Sequence, residues 1–491
     1  MPFTSLQYFL FLPLVYLVFY FVGDRARWFV LLAASFLFYA ALNVPYLLVV
    51  LMLVVVTSYG FGIWLNQASA PKTKRALLWS GIAANILILV VMKYLPFLST
   101  NLKALTTLLS VNAQIQPVKA FVAIGVSYYV FSAISYLINV YLEIVKPERH
   151  FGYFTLYMAF FPKLLQGPIE RAENLLPQLK AKYEFNYDNM RSGMLLFAWG
   201  LFKKVVIADR LGLYVDAVYN NVHSYTGLPL LLATYAYAFQ IYLDFSGYTD
   251  MALGSARLFN INLTQNFNSP YTATSVADFW RRWHISFSSW ILDYIFKPLQ
   301  MQWRNGRNWG TAAALIVTFL VSGIWHGAGW GFVIWGLLHG LYLACSVFCR
   351  PYQKKLHQAL GIEKTRPLEV WQIFVTFNLV CLAWIVFRGN SLEDAWYITT
   401  HLFTNSNMRL IDSLLAGQSL KGFIVTLGSI VFLLVAHYLL NGGFQITAGD
   451  FGKHLSMKPV WFRWNVYYAI MFFILIFGIF DNAQPFIYFQ F

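Results

Sequence analysis

Residues 45–65 read PYLLVVLMLVVVTSYGFGIWL, a run without one charged side chain. A helix needs about 20 apolar residues to cross roughly 30 Å of hydrocarbon, and this run supplies them. It is continuously apolar rather than alternating at period 2, which argues against a membrane β-barrel. Working outward, runs of the same kind fall at 6–22, 28–42, 77–98, 120–142, 193–208, 229–247, 311–326, 330–349, 370–387, 421–440 and 465–480. Two further stretches, 151–166 and 279–299, are too short or too polar for simple crossings. They read as re-entrant or interfacial helices, tolerated where protein surrounds them. The fold class is therefore all-α and polytopic, a single integral-membrane domain over 1–491.

Composition agrees. Of 491 residues, 59% are hydrophobic, 19% aromatic and only 11% charged, whereas a soluble chain carries about a quarter charged residues. The net charge of +15 sits mainly in short breaks between apolar runs, as in cytoplasmic loops. No basic stripe with interleaved aromatics stands apart, so a nucleic-acid partner is not expected. Cys345, Cys349 and Cys381 lie inside apolar segments with no CxxC pair, which disfavours a disulfide framework or a structural zinc. The run 6–22 has no basic residues before it and no small-residue cleavage site, so it reads as the first span rather than a signal peptide.

Loop charge orients the spans. Arg25 and Arg27, then Lys72, Lys74 and Arg75, then Lys146 and Arg149 fall on one side if the N-terminus lies outside. Arg350, Lys354 and Lys355, followed by Lys453, Lys458 and Arg463, mark the same face. The expectation is a multi-pass protein with both termini outside.

Ionisable and polar groups within apolar segments are costly, and so usually paired or functional. Three places concentrate them. In 278–290, DFWRRWHISFSSW, a continuous helix would put Arg281, His284 and Ser288 on one face. The same residues also suit an interfacial helix with Trp and Arg at headgroup level. In 322–331, SGIWHGAGWG, four glycines (323, 327, 329 and 331) loosen a helix at mid-run and permit close backbone approach. A histidine there is shielded from water, and a neutral imidazole takes a proton from a hydroxyl. His326 is thus a candidate base, beside Trp325; the plain alternative is a packing histidine among small residues. His339 sits in an ordinary apolar helix and reads as packing. The third place is a pair of stripes. Tyr237, Gln240 and Asp244 run into Ser246, Tyr248 and Asp250, with Tyr242 a further lining candidate, and Tyr128, Ser132, Ser135 and Asn139 follow helical spacing. Such stripes join helices or line a wet cavity, and Asp244 and Asp250 could instead cap helix ends.

The chain has no GxxxxGK[ST], HExxH or GxSxG motif, and no GxGxxG after a strand. His326 and His339 lie on opposite sides of the glycine break with no carboxylate at ligand spacing, so no metal is expected.

The stretches 278–286 (DFWRRWHIS) and 323–328 (GIWHGA) resemble the two histidine motifs of the membrane-bound O-acyltransferase family, more narrowly its alginate O-acetyltransferase branch. YLDFSGYTDMA at 242–252 and QGPI at 166–169 support the match, which is strongest over 1–390. The resemblance implies a ring of about 11–13 transmembrane helices around a central tunnel. It makes His326 the catalytic histidine and His284 the second histidine of the site. It also implies acetyl-CoA as cytoplasmic donor, and a separate periplasmic SGNH-type, AlgX-like acetyltransferase partner that sets the group on a polysaccharide. The location implied is the bacterial inner membrane. One departure is local: after Lys297-Pro298-Leu299 the family often has a Gly-Gly-Asn-Arg-like turn, where this chain reads QMQWRNGRN (300–308). Related acyl-export systems carry a terminal F-x-Y-x-x-F element, matched by FIYFQF at 486–491. That likeness makes Tyr488 a candidate acyl relay; an aromatic tail anchored at the interface is the alternative.

In the mechanism expected, His326 removes a proton from an acceptor hydroxyl, with His284 or a backbone N–H in the glycine break steadying the oxyanion. Two rivals stand beside it. One is a transporter or channel with a histidine proton relay, although the paired broken helices typical of transporters are not seen. The other is an enzyme that takes a D-alanyl or longer acyl group from a carrier-protein thioester.

Overall fold

The computed structural model describes residues 1–111, 116–406, 408–441, 455–480 and 486–487. The regular structure among these residues is helical, joined by irregular connections, with one isolated bridge, Phe267 to Trp283, as the only extended pairing among them. Six described helices are long and apolar enough to cross a membrane: Tyr46–Gln67, Pro71–Leu108, Arg304–His326, Trp330–Ala359, Arg366–Arg388 and Val460–Phe477. Leu6–Phe21 and Leu420–Val435 are shorter apolar helices. Large apolar side chains stay exposed along them, among them Leu10, Val49, Trp371 and Met471. The chain is an all-α, multi-pass membrane protein.

Several expected spans differ in extent. The run 120–142 is helical only as Val126–Tyr141, because Gly125 turns the chain at φ 81°. A Cβ there would lie 2.7 Å from the Leu164 carbonyl oxygen, so both conformation and space call for glycine. The run 193–208 falls on helix Tyr187–Phe202 and a π-helical turn, Lys203–Ala208. The run 229–247 is the interior of a 30-residue helix, Leu228–Arg257. Both carry buried charges that lower their apolar character.

The chain divides into two units, Met1–Met194 with Ala252–Thr264, and Leu195–Met251 with Gln265–Phe491. In the first, polar side chains pair between helices, as they must where water is scarce. Asn85 Nδ2 donates to Ser58 Oγ at 3.2 Å, and the Tyr8 and Ser255 hydroxyls meet at 2.7 Å. The second is built on aromatic packing. Trp335 stacks on Trp384 at 5.8 Å and Phe279 on Trp283 at 5.4 Å. Helices Arg307–His326 and Trp330–Ala359 pack together where Gly323 faces Gly336. A Cβ on Gly323 would stand 2.3 Å from the Phe332 carbonyl oxygen, and one on Gly336 would stand 2.3 Å from that of Phe319.

Candidate active site

His326 is the last residue of helix Arg307–His326, and the next helix starts at Trp330. The glycine-rich segment between them ends the helix as its sequence suggests. The imidazole is 4% exposed. Its ring meets Trp325 at 4.6 Å, Trp335 at 4.7 Å, Phe387 at 5.5 Å and Phe287 at 5.6 Å. Aromatic rings thus flank the buried imidazole on several sides.

His284 is fully buried, and its backbone is left-handed (φ 43°). This corrects the expected continuous helix. The chain leaves helix Val276–Arg282 at an extended Trp283 and restarts at Ile285–Ile291, so Arg281, His284 and Ser288 do not share a helical face. The cause is a local pairing with residues 266–268. Asn266 accepts from Ile285 N through its carbonyl (2.9 Å) and from the Ser286 hydroxyl through its side chain (2.6 Å). Asn268 N donates to the Arg282 carbonyl at 2.9 Å. A non-glycine residue held in this region costs about 1–3 kcal/mol and persists only where neighbours over-determine it. The left-handed turn aims the His284 ring at Phe287 (5.1 Å, stacked) and Trp325 (5.9 Å). These two rings stack on each other at 4.1 Å and both also touch His326. The two histidines therefore share two aromatic neighbours.

The other expected residues divide. Arg281 has a side chain 72% exposed and pairs with Asp278 at 3.3 Å. The Ser288 hydroxyl closes a local turn onto the Trp283 carbonyl at 2.9 Å. Tyr242 packs on Phe267, Tyr271 and Trp283. Gln240 is buried. Asn139 belongs to the first unit, where it donates to Glu173 at 3.0 Å, a joining role. Asp244 and Asp250 lie inside helix Leu228–Arg257 and cap nothing. They are instead salt-bridged: Lys203 meets Asp250 at 2.7 Å, and Lys204 bridges Asp244 at 2.6 Å and Asp209 at 2.8 Å, all buried. The sequence reading missed both lysines. Two adjacent lysines within an apolar run were themselves the signal, since such charges require partners.

His339 is fully buried and accepts from Trp280 Nε1 through Nδ1 at 3.2 Å. Ser322, one helical turn before His326, is also buried, and its hydroxyl has no hydrogen-bond partner among the described residues. Nor does any group of three or more His, Cys, Asp and Glu side chains among them form a metal site. Tyr488 lies outside the described residues, but Phe486 and Ile487 are described and buried.

A buried, ring-walled imidazole at a helix break, with a second histidine beside the same rings, is the candidate site. Comparison with known proteins gives that site its family. The model of the membrane-bound O-acyltransferase family matches residues 146–359, which contain both histidine motifs. The peptidoglycan O-acetyltransferase of Helicobacter pylori is 34% identical over 432 residues, 80% of this chain and 77% of the relative. The probable alginate O-acetylase AlgI of Pseudomonas aeruginosa is 33% identical over 436 residues, 88% and 80% of the two chains. The teichoic acid D-alanyltransferase of Bacillus subtilis is 27% identical over 273 residues, 54% and 68%. The chain belongs to the membrane-bound O-acyltransferase family, and it is an acyltransferase.

Proposed function

We propose that this enzyme moves an acetyl group from cytoplasmic acetyl-CoA across the bacterial inner membrane for O-acetylation of an extracytoplasmic polysaccharide, alginate or a similar polymer. His326 is the general base. It takes the proton of an acceptor hydroxyl as that oxygen attacks the thioester carbonyl; the carbon–sulfur bond then breaks, and the proton passes to the departing CoA sulfur. Acid–base help of this kind contributes about 10²–10⁴-fold. His284 or a backbone N–H of the segment 327–329 stabilises the oxyanion. The hydroxyl is that of Tyr488, or one on an incoming carrier, and an SGNH-type, AlgX-like partner outside the membrane completes delivery. Both termini face that side, in keeping with the loop charges.

The observation that carries this reading is the seat of His326, buried against four aromatic rings at the point where its helix ends. Acetyl is favoured over D-alanyl because the relatives named for acetyl transfer are the more similar and match over more of the chain. The transporter alternative finds no support in a family of acyltransferases. The test is reconstitution in sealed vesicles with labelled acetyl-CoA on the cytoplasmic face. CoA release with label recovered on an external acceptor is expected. Consumption of a carrier-protein acyl thioester in place of acetyl-CoA would overturn the donor assignment.

A further inference from the structure

The buried group of Lys204, Asp209 and Asp244 has a fourth participant, the C-terminal segment. Asp244 Oδ1 meets Lys204 Nζ at 2.6 Å, while Asp244 Oδ2 accepts the backbone N–H of Ile487 at 2.9 Å. Lys204 Nζ also lies 4.4 Å from the centre of the Phe486 ring. Tyr248, one turn beyond Asp244 on the same helix, meets that ring edge-on at 4.9 Å. Upstream, Ile479 N donates to the Val205 carbonyl, next to Lys204 in the chain, at 3.0 Å. Phe486 is 2% exposed and Ile487 6%.

We propose that Asp244 and Lys204 form a latch that seats the C-terminal segment in the second unit through Phe486 and Ile487. The Asp244 carboxylate serves two donors at once, one on each oxygen, and the Lys204 ammonium serves two carboxylates, Asp244 and Asp209, and a ring. A hydrogen bond to an ionised acceptor is about twice as strong as a neutral one, and cation–π attraction grows when the cation is dry. The acceptor reads a backbone N–H, so the latch fixes the path of the chain just before Tyr488 rather than any side chain at 487. Asp244 and Lys204 are positioning residues on this account. The latch goes beyond the acyl-transfer reading, and it holds whether or not Tyr488 carries the acyl group.

Hydrogen exchange of the purified full-length protein, followed in the peptide covering 478–491, tests it. In Asp244→Asn the side chain offers an oxygen to only one of the two donors, because its other atom is itself a donor. The C-terminal peptide should then exchange at least tenfold faster, while peptides from helix Arg307–His326 keep wild-type protection. Phe486→Ala leaves Lys204, Asp209 and Asp244 in place, and should give the same local acceleration even if Asp244→Asn fails to fold. His326→Ala should lose acyl transfer yet keep the tail protected, which separates failure of the chemistry from failure of the latch. Wild-type exchange of the C-terminal peptide in Phe486→Ala, or acceleration spread through the whole unit, would overturn the proposal.

Discussion

Gly323→Ala tests the link between helix packing and the site. The added Cβ would stand 2.3 Å from the Phe332 carbonyl oxygen and 3.1 Å from Gly336 Cα, where ordinary contact begins at 3.4 Å. Both atoms are backbone, so no side chain can swing aside, and the two helices must part by about 1 Å. Overpacking of this size costs typically 1–3 kcal/mol of stability. The larger effect should be on rate. His326 is three residues further along the same helix, and a misplacement of about 1 Å can cost 10²-fold in catalysis. Acyl transfer per unit of membrane-inserted enzyme should fall by about that factor, with a lower thermal unfolding midpoint in detergent. Gly60→Ala serves as control, since nothing lies within 4 Å of its added carbon. A Gly323→Ala enzyme working within about twofold of wild type would refute the reasoning, because the site would then tolerate separation of its supporting helices.

Three further outcomes are expected. His339→Ala should lower the unfolding midpoint in detergent more than it lowers acyl transfer per folded molecule. It strands the buried Trp280 N–H, a loss of about 1–3 kcal/mol, and leaves a cavity among aromatic rings. Lys203→Met should cut the yield of folded protein, since Asp250 stays buried without its 2.7 Å partner and breaking such a pair costs about 3–5 kcal/mol; the double variant Lys203→Met/Asp250→Leu should recover part of that yield. Tyr488→Phe separates the two candidate acceptors: loss of acetyl delivery to polymer at unchanged membrane abundance assigns the hydroxyl to Tyr488, and acetylation at the wild-type level assigns it to an incoming carrier and removes the relay.

The fold class was readable because apolar runs such as 45–65 dominate the sequence and few other structures accommodate them. The break at His326 was readable too, since glycines at 323, 327, 329 and 331 mark it and the helix ends there. The turn at His284 was not. Residues 278–290 keep helical spacing throughout, and what breaks them is a pairing with Asn266 and Asn268, set by tertiary structure rather than local propensity. The same limit applied at Asp244. Its helix was foreseen, but its partner Lys204 comes from another helix-forming run, and its second donor from the far end of the chain. Pairings between distant segments leave little mark on local pattern.

The most direct test of the central claim is the acyl-transfer rate of His326→Ala at matched membrane abundance, with acetyl-CoA as donor and polymer acetylation as readout. Loss of about 10²–10⁴-fold is expected for removal of a general base. A rate within a few-fold of wild type would contradict the account and take His326 out of the chemistry.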